Sequence, residues 1–97
     1  MERWKVIIFL GNLYIKLNDK EKAKSCFELG CSKQQVNSCL FLGALYATTN
    51  NLKATKYLSL ACNPKDKELN NNEFAKLAIK NSCFFLGRFY YEEKNIT

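Results

Sequence analysis

Phe9-Leu10-Gly11-Asn12-Leu13-Tyr14, Phe41-Leu42-Gly43-Ala44-Leu45-Tyr46 and Phe85-Leu86-Gly87-Arg88-Phe89-Tyr90 are three versions of one six-residue phrase. A phrase that returns in this way specifies a structural unit built more than once. Such units stack because none can bury its own apolar side alone. The residues downstream of each phrase define the unit. After Tyr14 come Ile15-Lys16-Leu17, a polar turn at Asn18-Asp19-Lys20, then Ala23, Phe27 and Gly30. After Tyr46 come Ala47-Thr48-Thr49, a turn at Asn50-Asn51, then Ala54, Leu58 and Ala61. Steps of three, four and seven between apolar or small residues are helical spacing. Each unit is therefore a helix, a short turn and a second helix, with Asp19 and Asn51 as expected N-caps.

Composition supports an all-α fold. With one Pro and four Gly in 97 residues, little interrupts a helix, and 47% apolar residues are enough for a core. Length bounds the chain to a single domain, 1–97, with repeat one at 3–31, repeat two at 35–62, and a loop and extended final helix at 63–93. Gly11 and Gly43 fall mid-helix, where Gly costs about 1 kcal/mol relative to Ala. Close approach of two helix backbones explains keeping them, with Ala23 and Ala54 as the expected facing residues. Phe9, Leu10, Leu13, Tyr14 and Phe27 are then expected to fill the space between layers, as are Phe41, Leu42, Leu45, Tyr46 and Leu58.

The pattern resembles the tetratricopeptide repeat and its relative, the Sel-like repeat. Leu10, Gly11, Tyr14, Ala23, Phe27 and Gly30 stand at the tetratricopeptide signature spacings, with Gly30 where that family usually has Ala. Leu42, Gly43, Tyr46, Ala54, Leu58 and Ala61 form a second copy whose turn is one residue shorter, and Leu86, Gly87 and Tyr90 begin a third. The resemblance implies a right-handed α-solenoid of stacked helical hairpins, about two and a half repeats long. It also implies a concave face lined by the first helix of each unit. Its residues would be Lys5, Ile8, Asn12 and Lys16, then Asn37, Leu40, Ala44 and Thr48, then Asn81, Phe84, Arg88 and Tyr91. Asn12 matches one element of the carboxylate clamp of chaperone-binding members, but Ile8 and Leu40 stand where that clamp wants cations.

Extra residues after Cys62 displace the third copy. Asn63-Pro64-Lys65-Asp66-Lys67 reads as a loop and Asn70-Asn71-Asn72 as a helix start. Phe74, Leu77 and Ala78 have helical spacing that runs into the third phrase. The expected result is one long helix covering the end of the stack, with Glu92-Glu93-Lys94-Asn95 as its solvated tip. The alternative is the first helix of a hairpin whose second helix is not in this chain.

The cysteines follow the repeat. Cys31 and Cys62 close the second helix of units one and two, and Cys39 and Cys83 each precede a phrase glycine by four residues. In stacked hairpins the end of one second helix adjoins the start of the next first helix, which makes Cys31–Cys39 and Cys62–Cys83 the sensible pairs. Cys26 has no repeat equivalent and is expected to be buried and inert. The arrangement resembles the Helicobacter cysteine-rich protein family, Sel-like repeat proteins whose consecutive helices are bridged in this way. The segment from Cys31 to Cys39 has that family's spacing, the Cys62–Cys83 interval departs from it, and the Gly-rich loops of Sel-like repeats are missing. Closing loops of these lengths contributes roughly 2.5–3.5 kcal/mol each in chain-entropy terms. Paired cysteines imply an oxidising, periplasmic or secreted location. Five reduced cysteines, serving as small buried apolar residues of a cytoplasmic protein, are the competing reading.

Several function classes are narrowed. The stretch Met1-Glu2-Arg3-Trp4-Lys5 followed by Val6-Ile7-Ile8-Phe9-Leu10 has the outline of a signal peptide. It lacks a small-x-small cleavage site and carries the first phrase, so it reads as mature structure. No run approaches the roughly 18 apolar residues of a membrane span. The chain contains no His and no C-x-x-C, which removes the common general base and zinc spacings, and no metal or cofactor is expected. Neither Ser-x-x-Lys nor Lys-Thr-Gly occurs. The penicillin-binding or β-lactamase description attached to the Helicobacter family therefore has no residues to carry it. A net charge of +6, with Lys20, Lys22, Lys24, Lys53 and Lys56 on second helices, raises nucleic acid as an alternative partner. Those lysines lie on the expected convex face without an interleaved aromatic platform. The reading that remains is a non-catalytic scaffold taking a protein or peptide in its concave groove.

Overall fold

The computed structural model describes residues 3–96, with side chains described for residues 5–91. Met1 and Glu2 of the leader-like stretch, and the side chains of Glu92, Glu93, Lys94 and Asn95, lie outside the described parts. The fold is all-α: five helices run in order, α1 (Arg3–Lys16), α2 (Lys20–Ser32), α3 (Val36–Tyr46), α4 (Asn51–Cys62) and α5 (Glu73–Ile96), and no strand occurs among the described residues. Each helix packs on its successor, and α3 also touches α1 and α5. The odd-numbered helices therefore form one layer and α2 and α4 the other, which is the arrangement of stacked helical hairpins.

Local chemistry sets the turns. Asp19 caps α2, its carboxylate accepting from the Lys22 N–H at 3.2 Å. The cap of α4 is Asn50, which accepts from the Lys53 N–H at 3.1 Å, and the expected cap Asn51 is instead the first helical residue. The one-residue shortening of this turn moves the cap back with it. Asn18 and Gln34 take positive φ of 62° and 68°, the left-handed step that ends a helix. At Gln34 this lets the Gln35 N–H reach back to the Gly30 carbonyl at 3.1 Å.

The glycines mark close packing, with a correction to one expected partner. A Cβ at Gly11 would overlap the Phe27 ring, not Ala23, whereas one at Gly43 would sit 2.8 Å from Leu58 Cγ and 3.4 Å from the carbonyl oxygen of Ala54, the expected facing residue. Ala23 and Ala54 are fully buried beside them. Gly30 replaces the usual alanine because a Cβ there would overlap the Ser38 side chain of the next hairpin.

Filling of the core is uneven. Phe27, Val36, Leu42 and Leu58 are buried, and Phe41, Leu45 and Tyr46 pack against them. Phe9 is 68% exposed, and Leu10 and Leu13 are also exposed, contrary to the expectation that they fill an interlayer space. Among the described residues α1 packs mainly against α2 and more lightly against α3, and these three side chains lie outside those contacts.

The inserted segment braces α3. Asn70 is buried, its Oδ1 accepts from the Val36 N–H at 3.0 Å, and its amide donates to the carbonyls of Gln34 at 2.9 Å and Asp66 at 2.7 Å. Gln35, the residue preceding α3, makes no side-chain cap bond, so Asn70 supplies the cap from elsewhere in the chain. The helix start lies at Asn72, whose Oδ1 accepts from the Ala75 N–H at 2.8 Å. α5 then runs unbroken through the third phrase. α5 packs on α4 and α3, the two helices of the last complete hairpin, and its added first turns lie over α3, with Ala75 and Ala78 in the same core cluster as Val36 and Ile8, while a Cβ at Gly87 would meet nothing within 4 Å.

Two expectations follow for denaturant unfolding. Asn70→Ala removes a cap and strands the buried Val36 N–H, and should lower stability by about 1–3 kcal/mol. Gly11→Ala should destabilise through the Phe27 overlap, whereas Gly87→Ala should raise stability by up to about 1 kcal/mol through helix propensity alone.

Candidate binding face

The layer of α1, α3 and α5 carries the candidate site. On α1, Lys5, Ile8 and Asn12 come together with Phe9 and with Phe74 of α5 around an open depression of about 370 Å³. Ile8 forms its buried floor, Asn12 is half-buried, and Lys5 and Phe9 stand at its exposed rim. Lys16 is exposed at the far end of α1, outside this depression.

The α3 residues divide. Asn37 is 3% exposed and donates its amide to the Phe74 carbonyl at 3.3 Å, so its side chain serves the α3–α5 junction and is withdrawn from the surface. Leu40 is half-buried against the core, Ala44 is exposed, and Thr48 is exposed in the turn after α3. On α5, Asn81, Phe84, Arg88 and Tyr91 are all exposed. They continue a row begun by Phe74 and Leu77, at three- and four-residue steps along one helix face. Phe9 and Phe74 are the site residues that reading the sequence missed. Phe9 belongs to the phrase and was assigned to the core, while Phe74 reaches α1 only because α5 begins two turns early.

The opposite side of the molecule carries lysines over tyrosines. Tyr46 and Tyr57 stack with centroids 5.8 Å apart at 15°, Lys24 and Lys53 lie 4.8 and 5.2 Å from the Tyr46 centroid, and Lys56 lies 5.4 Å from that of Tyr57. Aromatic rings are thus interleaved with the lysines after all. Their faces are taken up by each other and by ammonium groups, which leaves no open ring on which a base would stack. Lys22 and Lys24 are further offset by Asp19 and Glu21, at 3.8 and 3.6 Å. Burial, reinforced by Glu28 and Tyr46, pushes the Tyr57 hydroxyl above its ordinary pKa.

Both expected disulfides are present: Cys31–Cys39 with Cα atoms 4.7 Å apart, and Cys62–Cys83 with Cα atoms 4.8 Å apart. Cys31 and Cys39 are buried, whereas Cys83 is exposed and Cys62 half-buried. Cys26 is free and half-buried, and partial burial raises its thiol above the ordinary value. Among the described residues no group of three or more His, Cys, Asp or Glu is placed to hold a metal ion, and no helix is long and apolar enough to cross a membrane.

Residues 5–32, which span α1 and α2, match the family model of the tetratricopeptide repeat. No curated protein and no solved structure matches the chain.

Exposure orders the thiol chemistry. Graded addition of a small thiol reductant followed by alkylation and peptide mapping should label Cys62 and Cys83 before Cys31 and Cys39. Cys26 should label without reductant, and more slowly than an exposed model thiol at the same pH, because its thiolate fraction is reduced.

Proposed function

We propose that the α1/α3/α5 face binds a segment of another protein, as an extended peptide or a helix, and that the chain acts as a non-catalytic scaffold. The carrying observation is the depression between α1 and α5, in which Ile8, Phe9 and Phe74 offer an apolar seat beside the polar Lys5 and Asn12. Mostly apolar concavities with a few convergent polar groups are the ordinary form of a recognition pocket. The exposed row from Phe74 and Leu77 through Phe84 to Tyr91 extends that seat along α5. Its spacing suits a ligand helix that presents apolar residues at matching steps. The tetratricopeptide match at residues 5–32 supports the same class of role. The two disulfides support an oxidising compartment, periplasmic or extracellular, as its place of work. The bridged junction between α2 and α3 is also the feature that supports kinship with the Helicobacter cysteine-rich proteins.

Selection of ligands from a displayed random-peptide library on the oxidised chain, followed by titration, tests this reading. Phe9→Glu and Leu77→Glu change exposed side chains and should each weaken the selected peptides by about tenfold or more. Lys56→Glu, on the opposite side, should leave affinity within about twofold. The reverse ranking would contradict the assignment of this face.

A further inference from the structure

The two bridges stand at repeat-equivalent junctions, yet their surroundings differ. At the first, Ser38 is fully buried and its hydroxyl donates to the side chain of Gln35, three residues earlier. Ser82 holds the same place at the second junction and is also fully buried. The residue three earlier is here Ile79, and the Ser82 hydroxyl has no hydrogen-bond partner. A buried hydroxyl without a partner disfavours the closed junction, because opening returns it to water. The sulfurs are also differently placed: Cys31 and Cys39 are 8% and 2% exposed, whereas Cys83 is exposed and Cys62 half-buried.

α5 is held by little apolar burial. From α2, α3 and α4 the large side chains Phe27, Leu42 and Leu58 are fully buried. Among the described residues of α5 the buried ones are Ala75, Ala78 and Ser82, all small, and Ile79, Leu86 and Phe89 are half-buried. Stabilisation scales with the apolar area removed from water, so α5 gains less from packing than these three helices do. The second bridge makes up the difference. It closes the ring from Cys62 to Cys83, which contains the inserted segment, Asn70 and Phe74. Phe74 lines the depression beside α1 only while α5 stays seated on α3.

We propose that Cys62–Cys83 is a redox switch: a dithiol reductant opens this bridge while Cys31–Cys39 stays closed, α5 leaves its seat, and the depression that Phe74 lines is dismantled. One thiolate of the dithiol attacks the exposed Cys83 sulfur, the S–S bond breaks, and Cys62 leaves as a thiolate that takes up a proton. The second thiolate of the dithiol then displaces Cys83 from the mixed disulfide, and Cys83 is protonated in turn. The dithiol ends as a disulfide, two electrons and two protons having passed to the protein. The consequence for a ligand rests on the function proposed above, whereas the release of α5 does not.

Hydrogen exchange read by mass spectrometry tests the switch, on the oxidised chain, on the chain titrated with dithiothreitol, and on the Cys62→Ser/Cys83→Ser chain. In the variant, and in the reductant once Cys62 and Cys83 become alkylatable, amides of residues 73–91 should exchange at least about tenfold faster, with residues 5–46 within about twofold of the oxidised chain. Reoxidation should restore the slow exchange. Unchanged exchange in α5 would overturn the proposal, as would equal acceleration over residues 5–46, which is global unfolding, or opening of Cys31–Cys39 at the same dithiothreitol concentration. Peptides selected on the oxidised chain and weakened by Phe9→Glu should bind the Cys62→Ser/Cys83→Ser chain at least about tenfold less tightly. Equal affinity of those peptides would overturn control of the face. Peptides indifferent to Phe9→Glu would count against the face itself, and the exchange of α5 would then decide the switch alone.

Discussion

A helical hairpin buries the sides on which its two helices meet and leaves its outer sides bare, so each hairpin here depends on its junction with the next element. Both junctions are covalent. Cys31–Cys39 ties the end of α2 to the first turn of α3, and Cys62–Cys83 ties the end of α4 to the middle of α5. Around the first bond the packing is as close as side chains allow, with Gly30 against Ser38 and the Ser38 hydroxyl hydrogen-bonded to the Gln35 side chain. The inserted segment adds a third tie at the same place, through the Asn70 bonds to Val36 and Gln34. Stacked repeats share the burden of burial between neighbours, so these junctions carry much of the stability of the residues described. Two bridges at roughly 2.5–3.5 kcal/mol each are comparable to the whole stability expected of so small a domain.

Fixing the junctions also fixes where recognition is possible. With α1, α3 and α5 held in one layer, the early start of α5 carries Phe74 across α3 to the rim of α1. That crossing withdraws Asn37, whose amide is engaged with the Phe74 carbonyl, and creates an apolar seat that separate repeats would not have. The outer lysines are arranged differently. Their ammonium groups rest on Tyr14, Tyr46 and Tyr57 and are partly balanced by Asp19 and Glu21, so the net positive charge of the chain is not gathered there into a bare cationic surface.

What could be read from the sequence was whatever recurs at short range. Three copies of one phrase defined the hairpin unit. The repeat-equivalent places of Cys31 and Cys62, and of Cys39 and Cys83, predicted the bridges, and Asp19 was visible as a cap from its neighbours. Effects that depend on distant partners were not legible. Asn70 caps a helix that begins 34 residues earlier, a relation no local pattern encodes. The exposure of Phe9 also escaped prediction, because repeat logic assigns the same burial to every copy although the elements packed on each copy differ. Gly11 was correctly expected to mark close packing, but its partner Phe27, not Ala23, follows from how the side chains point across the hairpin. Along the candidate face, Ile8 and Asn12 were found by analogy between copies, and Phe74 was missed because the insertion shifts α5 out of register with the other first helices.

The central claim is that the two bridges hold the junctions between successive elements together, and urea unfolding of the chain with both bridges intact and with both reduced and blocked tests it most directly. The account predicts a loss of about 5–7 kcal/mol, enough to leave the blocked chain largely unfolded in buffer at room temperature. A blocked chain that unfolds at nearly the same urea midpoint would contradict it, and would place the stability in helix packing alone.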